Sequence, residues 1–289
     1  NTKPIEIAGT LKVLQRDSTA RGVKLFNGGS ILLKGSGMDS GHALDLFGQP
    51  TFALVSGAAS ISPLDPADAS QASIIVRTEH VLKTFDVQAS DAVLSVATPL
   101  IGGSTANIID KIGPGTLLWT GTNTTVAKLR ASEGTFAIGG AGVLGSGASA
   151  QVIEVLAGAV FRYASSASQT LSGAVTCSGS FAKTGGGRLS LTGAVALNAG
   201  GELAIPGVAA AADAVKANSL SLNGGSIRVN NAGELRAGVT YTLLTADSAL
   251  PSGVVAAVTG LDPHWRVYLS EDGKAVQLYK SPGTLLLMR

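Results

Sequence analysis

Short runs of alternating apolar and polar residues recur along the chain, each opened by glycine or another small residue. Such runs, separated by turn residues, are typical of β-strands. The first apolar residues of eight successive runs recur at a nearly steady interval of roughly 20 residues. Hairpin strands recur at about 8 to 12 residues, so the longer spacing favours a solenoid whose rungs stack in parallel. The eight residues are Leu11, Ile31, Phe52, Ile74, Val93, Leu117, Phe136 and Val160.

The spacing shortens after Val160, because Val175, Leu189 and Leu203 follow one another at clearly smaller intervals. Two interpretations are open: the rungs become tighter, or these residues lie on successive faces of one rung. The alternation also predicts that Leu189 points into the interior and that Arg188 points to solvent.

Two segments repeat a longer pattern. Residues 111–121 and 183–193 both read Lys-x-Gly-x-Gly-x-Leu-x-x-Thr-Gly. The pentapeptide Asn-Gly-Gly-Ser-Ile starts at Asn27 and again at Asn223. Recurrence of this kind indicates one supersecondary unit used several times.

Three segments interrupt the regular pattern. Residues 63–73 are predicted to form a protruding loop, and residues 208–218 a short helix or a loop. Near the end, Asp272-Gly273 stands between two alternating runs and predicts a β-hairpin. This closing segment is rich in aromatic residues, which suits a cap over the last open rung.

Composition supports a thin-layered β interior. Hydrophobic residues make up 45% of the chain, aromatic residues 4% and charged residues 14%, while Gly occurs 38 times. The interior is therefore expected to consist of Leu, Val, Ile and Ala in thin layers, with glycine in the turns. The net charge of +2 is spread without a basic cluster, so no nucleic-acid or membrane-surface patch is predicted. No apolar run is long enough to span a membrane, and the single Cys177 is expected to be a buried thiol.

The repeated Lys-x-Gly-x-Gly-x-Leu-x-x-Thr-Gly units resemble the autotransporter-associated β-strand repeat. The likeness covers about residues 103–280 and is weaker over residues 1–102. It implies an all-β protein: a single-stranded, right-handed parallel β-helix with a C-terminal β-hairpin cap. The expected division is a helix with rungs of roughly 20 residues over residues 1–240, a cap over 241–280 and a tail over 281–289. A complete autotransporter continues into a membrane β-barrel, so the expectation is a released passenger or a relative without a barrel.

Four short motifs are candidate sites, and each has a simpler structural interpretation. The Gly-x-Gly-x-x-Gly pattern at residues 140–145 lacks the following helix and acidic residue of a dinucleotide site, so a turn is favoured. Asp39, His42 and Asp45 do not have a recognised metal-ligand spacing, which favours a loop. The two remaining motifs are an acid close to a histidine, Glu79-His80 and Asp262-Pro-His264, and both are predicted to be solvated surface. No catalytic, cofactor-binding or metal-binding residue is therefore predicted.

β-Helical enzymes that cleave polysaccharides carry acids and bases on one outer face, so a site would repeat at the rung spacing. The acids Asp39, Asp45, Asp65 and Asp68 do not share an offset from their strands. A polysaccharide-binding or polysaccharide-cleaving protein remains the alternative, because fold alone does not fix function.

The favoured function is a non-catalytic, exported structural or adhesive surface protein without a cofactor. Its expected location is extracellular or on a bacterial cell surface. Expected partners are further copies of the chain, joined by strand addition at the solenoid ends, and surface glycans or host proteins. The tail, residues 284–288, reads as an apolar strand and is one candidate for this pairing.

Overall fold

The chain forms a parallel β-helix with three faces, as the computed structural model of residues 4–14, 22–34, 43–46, 51–65 and 72–282 shows. Over most of the described chain, successive strands lie on the first, second and third face in turn. The first and second faces are sheets of parallel strands. This confirms the predicted all-β solenoid.

The strands of the first face stack in chain order, and two of them also extend across a corner from the third face. They are β1 (Ile5–Ile7), β3 (Gly22–Leu25), β6 (Thr51–Leu54), β9 (Leu82–Val87), β12 (Ile108–Ile112), β15 (Lys128–Ala131), β19 (Ile153–Val155), β22 (Val175–Cys177), β24 (Leu189–Asn198) and β26 (Val215–Asn223).

The second face is an uninterrupted stack of eleven strands. They are β2 (Thr10–Val13), β4 (Ser30–Leu33), β7 (Ala58–Pro63), β10 (Val93–Val96), β13 (Thr116–Trp119), β16 (Thr135–Ile138), β20 (Val160–Tyr163), β23 (Ser180–Lys183), β25 (Glu202–Ile205), β27 (Ser226–Val229) and β29 (Val258–Thr259).

The third face is built from two successive stacks. The first stack is β5 (Ala43–Leu46), β8 (Ser73–Val76), β11 (Leu100–Gly102), β14 (Thr122–Asn123) and β17 (Val143–Leu144). The second is β18 (Ala148–Ser149), β21 (Gln169–Leu171), the first halves of β24 and β26, β28 (Thr240–Thr245), β31 (Ala275–Tyr279) and β30 (Arg266–Leu269). The Gln169 side-chain amide bridges the break, because it accepts from Leu144 N at 2.8 Å and donates to Leu144 O at 3.0 Å.

Inward side chains form columns that run through the rungs. Leu189 is buried and Arg188 exposed, as the alternation predicts. The predicted interior of Leu, Val, Ile and Ala is correct for most buried positions, but it omits an aromatic stack, because most of the phenylalanines pack inside the helix. Ring centroids of successive members lie 4.7 to 6.2 Å apart, a range in which aromatic pairs are favourable. The stack is Phe52, Phe85, Trp119, Phe136, Phe161 and Phe181.

The predicted interval of roughly 20 residues between rungs is correct. The eight residues used to find it, however, do not all lie on the same face of the helix. Phe52 lies on the first face and Ile74 on the third, whereas the other six residues of the series lie on the second. The shorter intervals after Val160 are successive faces, since Val175 is on the first face and Leu189 on the third. The rung itself does not tighten, because Phe161 pairs with Phe181 and Phe181 with Leu203, at the same spacing as in the earlier rungs.

The C-terminal segment adds antiparallel strands to the third face. Strand β28 pairs with β31, and β31 pairs with β30 through the turn at Asp272-Gly273, which confirms the predicted hairpin. The region of residues 208–218 holds one 3-10 turn (Ala211–Asp213) and then enters β26. Two further 3-10 turns are Ala232–Glu234 and Ser252–Val254. The centre of the predicted 63–73 loop and the predicted tail strand, residues 284–288, lie outside the described residues.

Candidate functional site

The repeated Lys-x-Gly-x-Gly unit has one structural role in both copies. The Lys111 ammonium donates to the carbonyls of Gly113 at 2.6 Å, Ile112 at 2.8 Å and Glu133 at 3.1 Å. Lys183 in the second copy donates to the carbonyl of Gly185, which matches Gly113. Both lysines are buried, so each ties a corner of the solenoid together from the inside.

The two copies lie at different corners. Residues 111–121 connect the first face to the second, through β12 and β13, whereas residues 183–193 connect the second face to the third, through β23 and β24. The distance between the copies is therefore not a whole number of rungs. The Asn-Gly-Gly-Ser-Ile echo behaves differently, because both copies precede a strand of the second face, β4 and β27.

Burial controls the protonation of Lys111. Loss of hydration lowers its pKa to about 8, against the opposing attraction of Glu133, Asp86 and Asp110. The three carbonyl oxygens are the groups that stabilise its charged form. A lysine with a lowered pKa can serve as a base or nucleophile, but this ammonium is fully enclosed and reaches no solvent. Its contacts are those of a structural lysine.

The outer surface of the first face carries a ladder of alternating charges on successive strands. Asp110 pairs in register with Arg130, and Arg130 with Glu154. The Arg130 guanidinium lies 2.6 Å from Asp110, the Ser132 hydroxyl donates to the same carboxylate at 2.6 Å, and Lys128 reaches Glu154 at 3.3 Å. The hydrogen bond to Asp110 raises the pKa of Arg130.

This charge ladder is the arrangement of acids and bases in the described residues that comes nearest to a polysaccharide site. Two carboxylates on strands two rungs apart are separated by about 9 to 10 Å, near the upper limit for inverting glycoside hydrolysis. Asp110, however, is only 4% exposed and is already bonded by Arg130 and Ser132. It is therefore held as a rung-to-rung ion pair rather than presented to a substrate.

Sequence reasoning missed the ladder, although its signal is present. Asp110, Arg130 and Glu154 follow one another along the chain at the spacing of the rungs. The acids of the N-terminal third, Asp39, Asp45, Asp65 and Asp68, do not share this regularity.

The structure places the other candidate motifs in turns. Residues 140–145 comprise the turn after β16, the short strand β17 and the first residue after it, with no helix following. His80 is exposed, with a positive φ of 63°, and its carbonyl accepts from Asn107 at 3.0 Å. Asp39, His42 and Asp68 lie outside the described residues, as does the side chain of Asp45.

The Asp262-Pro-His264 motif lies on the exposed cap. Asp262 binds the Lys280 ammonium at 2.9 Å and the His264 ring at 3.1 Å. The hydrogen bond from Lys280 and that from the His264 backbone lower the pKa of Asp262 to about 2. Lys280 also stands 5.9 Å from the centre of the Trp265 ring. These contacts hold the end of β31 against the segment of residues 262–265.

The second half of β26, residues 219–223, ends the first face with an open strand edge. One edge of this segment pairs with β24, but β28 pairs only with Val215 and Lys216 at the start of β26. Beside the other edge runs an open groove of about 610 Å³, bounded by Leu220, Leu222, Pro251 and Val254 and lined by no charged residue. No strand among the described residues occupies it.

The architecture defines the class of protein as a parallel β-helix. No protein-family model matches the chain, and no curated protein sequence matches it.

Over the described ranges, no three His, Cys, Asp or Glu side chains come together in a way that could hold a metal ion. The same ranges contain no helix that is long and apolar enough to cross a membrane.

Proposed function

We propose that the chain is a non-catalytic, exported structural or adhesive surface protein, a rigid β-solenoid that associates through its ends. The observation that carries this proposal is the continuous stack of rungs along the described length, with inward columns and an outer ladder whose charges pair with one another. A stack of repeated rungs of this kind is an extended body with a long outer surface, which suits a spacer that displays loops.

The export and surface location rest on the resemblance of residues 111–121 and 183–193 to the autotransporter-associated repeat, together with the parallel β-helix. The test is antibody labelling of intact source cells, compared with permeabilised cells, followed by electron microscopy of the native material. Labelling that appears only after permeabilisation would overturn the surface location.

The alternative is a polysaccharide-binding or polysaccharide-cleaving protein, and the charge ladder is where its acids and bases would be tested first, since they repeat at the spacing of the rungs. Incubation with pectin, alginate and mucin glycans, with a measurement of reducing ends, separates the two functions. The proposal expects no release above a heat-denatured control. Release that is lost in Asp110→Asn but retained in Asp262→Asn would establish the ladder as a catalytic site and overturn the structural assignment.

A further inference from the structure

The open end of the first face forms a notch that is one strand wide. At the next level along the solenoid axis, the third face is already extended by β28 and the second face by β29. Within the described chain the first face has no strand at this level, and residues 251–257 pass beside it. The notch therefore has room for a single extended segment, but not for a complete rung of a second molecule.

Two half-buried leucines and the unpaired backbone edge of residues 219–223 line this notch. Leu220 and Leu222 continue the inward columns of Val195 and Leu197, which are 2% and 0% exposed, yet both leucines are only half-buried. No backbone hydrogen bond joins residues 219–223 to residues 251–257. A sheet edge beside an apolar groove is the arrangement that binds an extended peptide by strand addition.

The chemistry of the groove selects an uncharged strand with apolar side chains on both faces. One face would cover Leu220 and Leu222, and the other would meet Pro251 and Ala256, which are exposed on the opposite wall of the groove. Strands covered on both faces read as continuous apolar runs. Residues 284–288, Thr-Leu-Leu-Leu-Met, have this composition.

The segment cannot come from the same molecule. The Lys280 carbonyl accepts from Gly238 N at 2.8 Å, and Pro282 lies beside Gly238. Pro282 is therefore close in space to the residues just before the first residue of β28. From there to residue 219 the path along the strands is roughly 25 Å, at about 3.3 Å per residue. The two steps from Pro282 to Thr284 cover at most about 7 Å.

We propose that the groove along residues 219–223 binds residues 284–288 of a second copy of this chain as an added strand. This inference deepens the end association of the proposed function and rests on it. Because the donor segment and the acceptor groove are different surfaces, the contact is heterologous and can propagate into a filament.

The test is sedimentation of the full-length chain over a concentration series. We expect concentration-dependent association that becomes at least about tenfold weaker, equivalent to about 1.4 kcal/mol, in two variants. Leu222→Glu places a charge in the groove, and the double change Leu285→Glu with Leu286→Glu places charges on both faces of the donor segment. Leu156→Glu is the matched control, since Leu156 is a 37% exposed leucine outside the groove, and it should leave association unchanged.

Three results would overturn the inference. They are a wild-type chain that stays monomeric, association that survives both variants, and association that the control weakens equally. A synthetic peptide of residues 281–289 covers the case in which Leu222→Glu does not fold. It should dissociate wild-type assemblies, and failure to do so also counts against the groove.

The outcome separates this inference from the proposed function. If the donor-segment variant associates normally while intact cells are still labelled, only the strand addition is wrong. If the chain releases reducing ends from glycans, the structural assignment is wrong even where the peptide binds the groove.

Discussion

Buried lysines at the corners show how single side chains set the stability of this solenoid. Lys111 occupies the same column as Phe85 and Ala131, a position where an apolar residue is expected. Its stem packs in the interior while its ammonium satisfies carbonyls of two successive corners. The charged group is costly to bury, but the carbonyl oxygens would be costly to leave without a donor.

Replacing Lys111 by Met tests this balance. We expect the free energy of unfolding at pH 7 to fall by about 1–3 kcal/mol, because the carbonyls of Gly113 and Glu133 lose their donor. Lys128→Met is the control, since it removes only a partly exposed ion pair and should cost less than about 1 kcal/mol. Urea titration measures both values. Equal losses would show that Lys111 has no special structural role.

The same residue predicts a pH dependence. The pKa of Lys111 is about 8 in the folded chain and 10.5 when unperturbed. Below pH 8 both states carry the proton and the burial cost is complete. Between pH 8 and 10.5 the unfolded state binds more protons, so the contribution of Lys111 to stability rises with pH. The difference between wild type and Lys111→Met should therefore grow over this window, and a flat difference would contradict the lowered pKa.

The Lys-x-Gly-x-Gly corner is the element that repeats, and its glycines have a steric explanation. A Cβ on Gly187 would lie 1.8 Å from the Ala167 carbonyl oxygen of the preceding rung, and one on Gly185 would lie 2.2 Å from that of Ser165. A Cβ on Gly186 meets nothing within 4 Å. The unit therefore needs glycine only where the backbone of the previous rung comes close, and Pro114 stands at the free position in the first copy.

Two adjacent glycines in this corner provide a matched pair. Gly187→Ala is expected to lower the free energy of unfolding by about 1–3 kcal/mol or more, because the rungs must separate to admit the methyl group. Gly186→Ala should leave stability unchanged or raise it by up to about 1 kcal/mol, since it restricts the unfolded chain. Thermal and urea unfolding would compare them. Similar losses in both would mean that the close approach of the rungs is not the reason for the motif.

The sequence predicts the strands and the hairpin well, because alternation and the Asp-Gly turn are local signals. It does not predict which face a strand joins. Phe52 and Ile74 have the same local pattern as Leu117 but lie on other faces, since face is set by the length of the intervening corners. The aromatic stack and the charge ladder were missed for a related reason: their members become neighbours only when the register between rungs is known.

The described chain is a stack in which each rung pairs with its neighbours. One side chain reaches further, because the Asn230 amide donates to the Lys183 carbonyl two rungs away at 2.7 Å. Stability is then expected to depend on distance from the ends and on how each end is covered. The three faces end differently: the third continues into the hairpin, the second ends in the short β29, and the first ends in the open edge of residues 219–223. Among the described residues, the cap therefore leaves the end of the first face uncovered.

Amide hydrogen exchange would reveal this asymmetry along one strand. In β26, Val215 and Lys216 are covered by β28, whereas residues 219–223 are paired on one edge only. In a parallel strand successive amides point to opposite edges, so alternate amides of residues 219–223 should exchange at least roughly a hundredfold faster than those of the enclosed strand β13. Addition of the residue 281–289 peptide should slow these amides and leave β13 unchanged. Uniform protection of residues 215–223 in the monomer would mean that the first face is already closed, and that the solenoid has no vacant edge through which to associate.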